Sequence, residues 1–237
     1  MSLPVFYHPG PFDGTVTLAG PEGRHAVSVK RIVAGEQILL IDGHGTHATV
    51  TVTATRGKDE LTGEVVEWGV DKHPRPRVTV VQALPKAERS ELAVDLATQA
   101  GADAIVPWQA QRCVAKWAGP KAAKGVAKWE AAALAAAKQS RRTRIPQIHP
   151  LMSTAQVAEF IADKKALVLH EDAATPLREI DLDVEELVLI VGPEGGIGAE
   201  ELAELGAAAV KLGPEVLRTA SAAMVALSAI GVLTQRW

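Results

Sequence analysis

Apolar and polar residues alternate along the first stretch of the chain, to about residue 70. "GTVTLAG", "EQILLIDG", "HATVTVTAT" and "LTGEVVEW" each repeat with period two and are separated by glycine-containing turns, the pattern of half-buried strands. Short strands at this spacing predict a small barrel or sandwich. "DKHPRPR" (71–77) is stiff and extended and reads as a linker. Beyond it the period changes. "VTVVQAL" is almost continuously apolar and is followed by a helical pattern over about 88–101, then by "ADAIVPW" and a long Ala-rich helix over about 122–141. "STAQVAEFIAD" opens with a Ser/Thr cap, and "KALVLH", "ELVLIVG" and "AAVKLG" read as three late strands. Buried strands alternating with helices predict an α/β domain with a mostly parallel sheet covered on both faces. Two domains are therefore expected, a β-domain over 1–72 and an α/β domain over 73–237. Between Arg218 and Arg236 every residue is uncharged, but the segment is short for a membrane span and rich in Ala, Ser and Thr. A tightly packed buried helix is expected there, and no membrane association.

Composition narrows the class. With 47% apolar residues the chain can bury a sizeable core, so disorder is not expected. The single cysteine, Cys113, excludes an internal disulfide and a multi-cysteine zinc site and suits a reducing cytosol. The opening "MSLPVFYHPGPFDG" has neither a basic nor an apolar leader region, so a cytoplasmic protein is expected. The net charge of −3 argues against a generally basic nucleic-acid binder. Its distribution argues the other way. Residues 116–144 are rich in Lys and Arg with Glu130 the lone acid, and "KQSRRTR" concentrates four of those basic residues. A local positive face for an anionic polymer competes here with an ordinary solvated helix surface.

The chemistry is expected where late strands end, since open α/β sheets bind ligands at the carboxyl edge. These ends read "LHED", "VGPEGG" and "LGPEVLRT", two of them Gly-Pro-Glu turns at 192–194 and 213–215. Glycine permits close approach to the backbone, and proline fixes the turn. No lysine follows these glycines, so a Walker loop is excluded, and the G-x-G-x-x-G dinucleotide fingerprint fails. Glu194 would repel a polyphosphate. A cationic or neutral ligand with a sugar and a base suits it better, and S-adenosylmethionine meets that description.

"LIVGPEGGIGAEEL" followed by "LGPEVLRTASAA", with "ALPKAERSELAVDLATQAGADAIVPWQAQRC", "AAAKQSRRTRIPQI" and "HAVSVKRIVAGEQILLIDG", resembles the SPOUT (α/β-knot) methyltransferases, and among them the ribosomal RNA small subunit methyltransferase E family. The resemblance covers most of the chain. It implies S-adenosylmethionine-dependent methylation of uridine N3 in 16S rRNA, near the decoding centre and on the assembled small subunit. It also implies a homodimer, an N-terminal PUA-like β-barrel and a C-terminal domain with a trefoil knot. The cofactor residues carried over are Leu169 and His170, Gly192, Pro193, Glu194, Gly195 and Gly196, then Leu212, Gly213, Leu217, Arg218 and Thr219. Two departures stand out. The last motif has Ala220 where family members commonly carry Glu, and Asp95 and Gln99 replace commoner Lys and Glu.

Uridine N3 must lose a proton before it is methylated, and the Arg218 guanidinium is placed to stabilise the resulting anion. Glu194 has three open readings: orienting the cofactor, accepting a proton, or capping the next helix. Arg218 and Glu194 are thus the catalytic candidates. RNA contacts are expected from Arg24, His25, Lys30 and Arg31 in the β-domain and from Lys86, Arg89, Arg112, Arg141, Arg142 and Arg144. Trp117 and Trp129 are expected to pack in the core, with base stacking as the alternative. His44 and His47 lack a third ligand, so no metal site is expected. Cys113 reads as a buried small hydrophobe rather than a nucleophile for C5 methylation. Ribose 2′-O methylation, the activity of related families with an Asn motif, is disfavoured because the chain contains no Asn. A non-enzymatic RNA-binding protein and an oxidoreductase are the remaining alternatives.

Overall fold

The computed structural model describes residues 3–237, which form two compact units. The first runs through His73. It contains β1 (Val5–Tyr7), β2 (Thr15–Leu18), α1 (Gly20–Arg24, continued by a π-helical turn His25–Val29), β3 (Gln37–Ile41), β4 (Thr46–Arg56) and β5 (Glu60–Val70). The sheet order is β1-β3-β4-β5-β2; β1 is parallel to β3 and the other pairs are antiparallel. Alternation sets the faces. Ala48, Val50 and Val52 on β4 turn inward and meet Phe6, Ile38, Leu40 and Leu61 in one core, while the intervening threonines lie outside it. Among the described residues no ladder joins β1 to β2.

The second unit begins at Pro74. Its elements are β6 (Arg77–Ala83), α2 (Ser90–Gln99), β7 (Ala104–Trp108), α3 (Pro120–Ser140), β8 (Gln147–Ile148), α4 (Thr154–Ile161), β9 (Lys165–Leu169), β10 (Glu186–Val191), α5 (Ala199–Leu205), β11 (Ala208–Val210) and α6 (Thr219–Leu233). All six strands are parallel, in the order β11-β9-β10-β6-β7-β8. The continuous apolar runs of β6 and β10 follow from burial on both faces. Ser153 caps α4 in a capping box: its Oγ accepts from Gln156 N (3.4 Å), and Gln156 Oε1 accepts from Ser153 N (2.9 Å). The uncharged C-terminal segment is α6, packed against α2, β6 and β10, with Ala220, Ala223 and Ala226 buried. Among the described residues no helix is long and apolar enough to cross a membrane. Just past α6, Arg236 turns inward and donates to Asp103 Oδ2 (2.9 Å), Gly101 O (2.5 Å) and Pro76 O.

One segment departs from the two-domain expectation. Ala137–Ile145, the end of α3 and the residues after it, belongs to the first unit. Lys138 Nζ pairs with Glu22 Oε1 on α1 at 2.5 Å, and Ile145 N donates to Gly43 O at 2.9 Å. The Arg144 guanidinium donates to the carbonyls of His44 and, at 2.6 Å, Asp71. Helical periodicity carries no sign of which unit a turn of α3 packs on, so the sequence could not show this return.

Candidate active site

Strand register builds the site. Leu169, the last residue of β9, is paired with Val191 of β10 on one side and Val210 of β11 on the other. The turns after all three strands therefore open on one carboxyl edge. They enclose a cavity of about 530 Å³ lined by Leu169–Asp172, Val191–Ile197, Val216–Thr219, Ala222, Arg89 and Arg112. A smaller lobe of about 90 Å³ shares Leu169 and His170 and reaches Leu212, Gly213 and Glu215. Every residue expected to hold the cofactor lines one of the two spaces.

The loop after β10 is shaped by its glycines. A Cβ on Gly192 would lie 2.7 Å from Ile197 Cγ1, so the buried Ile197 can fold back only over a bare backbone. Gly196 adopts φ +71° and closes a tight turn by donating to Pro193 O at 2.9 Å. Arg112 lies across the loop and donates from Nη1 to Gly195 O at 3.1 Å.

Glu194 is exposed, and its Oε1 accepts from Lys86 N at 3.1 Å. It ties the loop after β10 to the segment after β6. It does not cap α5, whose first turn follows Gly198 without a side-chain hydrogen bond. Arg218 is the N-cap residue of α6, and its carbonyl accepts from Ala222 N at 3.0 Å. Among the described residues its guanidinium has no hydrogen-bond or ion-pair partner, and it faces a space that also presents the Glu171, Asp172 and Glu194 carboxylates. His170 Nδ1 accepts from Asp172 N at 3.2 Å, which orders the turn after β9.

A buried polar chain supports this edge from below. Glu201, fully buried, accepts at Oε1 from Gln111 N (3.0 Å) and from Thr154 Oγ1 (2.7 Å). The indole of Trp108 donates to that same threonine oxygen at 3.1 Å. The chain holds the segment that carries Arg112. Cys113, on the same segment, is buried, and burial pushes its thiol up to about 11, with the Glu194 and Glu201 charges acting in the same direction.

The cationic residues expected to meet RNA fall into separate places. Arg89 and Arg112 line the cavity itself, and Lys86 is exposed beside Glu194. Arg24, Lys30 and Arg31 are exposed in the first unit, as is Arg141, while Arg142 is half-buried. His25 is half-buried, its ring edge-to-face with Phe6 at 5.5 Å, and burial lowers its pKa. Arg144 stands apart because backbone carbonyls occupy its guanidinium. Trp129 is fully buried, as expected, whereas Trp117 is only half-buried. His44 and His47 sit at the turn into β4, with His47 Nδ1 3.9 Å from Asp71.

Some lining residues escaped the sequence reading. Glu171 and Asp172 belong to the quoted "LHED" and Val216 to "LGPEVLRT", so all three had a signal; Ala222, in the first turn of α6, had none. Glu201 was hidden in "GAEELAEL", which looks like a solvated acidic helix.

Comparison with known proteins settles the family. A model of the RNA methyltransferase domain matches residues 71–231, and one of the RNA methyltransferase PUA domain matches 18–66. The chain is 50% identical to the ribosomal RNA small subunit methyltransferase E of Mycobacterium bovis, over 96% of this chain and 90% of that one. The chain belongs to the ribosomal RNA small subunit methyltransferase E family. The Bacillus subtilis member is 31% identical, over 93% of this chain and 91% of the other. Among solved structures, the Neisseria gonorrhoeae member bound to S-adenosyl methionine superposes with a TM-score of 0.88 at 26% identity, covering 98% of both chains. A Legionella pneumophila chain with the cofactor SAM bound gives 0.89 at 27%, again over 98% of both. Within this family the two departures have visible settings. Ala220 is buried in the first turn of α6, and Asp95 accepts from Gln99 Nε2 at 3.0 Å on the surface of α2.

Proposed function

We propose that this family member transfers a methyl group from S-adenosylmethionine to N3 of one uridine in small-subunit rRNA, in the cytoplasm and on the assembled subunit. The observation that carries this reading is the cavity on the carboxyl edge, where the unpartnered Arg218 guanidinium faces three carboxylates. Its donor set fits the cofactor. Apolar Leu169, Val191, Ile197 and Leu217 suit an adenine ring, bare glycine backbone at 192–196 suits a ribose and its chain, and carboxylates suit an amino group and a sulfonium. When bound, the cofactor supplies an electrophilic methyl group.

The chain's own residues do the rest. The N3 proton passes to water, which leaves negative charge on the uracil, and Arg218 offsets that charge as a donor positioned before the reaction. Glu194 anchors the wall of the pocket through Lys86, a binding and positioning role. Arg112 and Arg89 meet the phosphates beside the target base, which must be unpaired for N3 to be reached. The finer features of the family belong to the same proposal: closure of the β-domain as a PUA-like barrel, a trefoil knot in the C-terminal domain, and a homodimer.

Small subunits purified from cells lacking the protein, incubated with it and radiolabelled S-adenosylmethionine, test the reading. Label recovered as 3-methyluridine supports it. Label in a 2′-O-methyl nucleotide or a 5-methyl pyrimidine contradicts it.

A further inference from the structure

A second pocket, of about 340 Å³, lies in the same unit and takes no part in the site above. Its aromatic wall is Trp117, and its rim carries Lys116, Lys121, Lys124 and Lys128. The tryptophan is held in place from several directions. Its backbone N–H donates to Gln109 Oε1 at 3.1 Å, while Gln109 Nε2 donates to Ala115 O at 3.0 Å, so one side chain clips the whole segment. The ring lies directly on α3: a Cβ on Gly125 would approach Trp117 Cε2 to 2.6 Å. Its edge meets Trp129 at a centroid distance of 5.2 Å and 73°, and the Trp129 indole is fixed by donating to Ser90 Oγ at 2.8 Å.

Charge selects the occupant. Among the described residues Glu91 is the one carboxylate on the lining, and it is engaged by Lys128 at 3.7 Å. Among the described residues Lys116, Lys121 and Lys124 have no ion-pair partner. All three are exposed beside an indole that is itself only half-buried. An aromatic platform flanked by unneutralised cations is the recognition chemistry of an unpaired base and its flanking phosphates.

Two segments join this pocket to the cavity. The helical turn Ala87–Arg89 places Ala87 on the tryptophan pocket and Arg89 on the cavity. Residues 112–117 likewise begin with Arg112 on the cavity and end with Trp117 on the pocket. We infer that the Trp117 pocket is a second RNA subsite, which stacks an unpaired base of the strand carrying the target uridine and holds its phosphates on Lys116, Lys121 and Lys124. This rests on the RNA methyltransferase reading and adds a docking point to it.

Binding of a short single-stranded RNA spanning the methylated uridine is measured for the full chain, Trp117→Leu, Trp117→Phe and a Lys121→Gln/Lys124→Gln double variant. S-adenosylmethionine affinity is measured in parallel by calorimetry. The subsite predicts an RNA affinity about tenfold weaker in Trp117→Leu, retained within about twofold in Trp117→Phe, with cofactor affinity unchanged in both. The double lysine variant should reduce the slope of log affinity against log salt by about 1.4, roughly 0.7 for each lost phosphate contact. Unchanged RNA affinity in Trp117→Leu overturns the subsite. Joint loss of RNA and cofactor affinity also overturns it, by making Trp117 a packing residue. Competition by polyglutamate as effective as that of RNA reduces the pocket to a general polyanion patch and overturns it too. If the unaltered chain neither binds the short RNA nor labels small subunits from cells lacking the protein, the proposed function fails with the subsite. If it does both and Trp117→Leu matches it, the subsite alone fails.

Discussion

At the scale of single residues, one cation and one thiol stand as opposites. Among the described residues Arg218 has no hydrogen-bond or ion-pair partner, and it lines the cavity, so its charge is available to a reacting base. Replacing it by Ala should lower kcat by at least about 100-fold in single-turnover methyl transfer, the usual cost of removing a preorganised charge-stabilising donor. Cys113 is the opposite case. With its thiol pushed up to about 11 by burial, almost no thiolate exists near neutral pH. Cys113→Ser should keep turnover within about twofold, and the folded protein should resist alkylation by iodoacetamide at neutral pH. Loss of turnover in that variant, with folding intact, would revive covalent C5 chemistry. Much of this scale was legible. Gly192 and Gly196 announce themselves by spacing, because a tight turn at a strand end demands glycine, whereas Arg218 was carried over from the family motif it resembles. The tie from Glu194 to Lys86 did not, since it spans 108 residues and uses a backbone N–H that no side-chain pattern reveals.

At the scale of elements, strands and long helices could be read because each buries a repeating face. The two-residue β8 and the π-helical turn after α1 are too short for any period to register. The return of Ala137–Ile145 to the first unit rests on partners such as Glu22 and Gly43, which lie far away in the chain. The C-terminal tie was equally silent. Arg236 reads as a charge closing an apolar run, yet its side chain is only 3% exposed and its partner Asp103 only 9%. Asp103 Oδ2 also accepts from Val78 N at 2.8 Å, at the start of β6, so one ion pair joins the chain end to the central sheet. Breaking a buried pair by removing one member costs about 3–5 kcal/mol. Arg236→Ala should therefore lower the urea midpoint sharply, by an amount equivalent to that range, whereas exposed Arg178→Ala should shift it little.

At the scale of the whole molecule, family membership and the cavity converge on RNA methyl transfer, and in the proposed function the β-domain and the cationic residues hold the RNA. The proposed homodimer has a physical motive in the second unit, where Val225, Val232, Leu233 and Trp237 on and after α6 are exposed apolar side chains. Sedimentation equilibrium should give twice the chain mass of 25.0 kDa at micromolar concentration, and Val232→Asp with Leu233→Asp should shift it toward the monomer. A single 25.0 kDa species for the unaltered chain would remove the dimer from the account. The most direct test of the central claim is nucleoside mass spectrometry of small-subunit rRNA from cells with and without the gene. One 3-methyluridine should disappear on deletion and return with the unaltered gene but not with Arg218→Ala. An unchanged 3-methyluridine content in the deletion strain would contradict it.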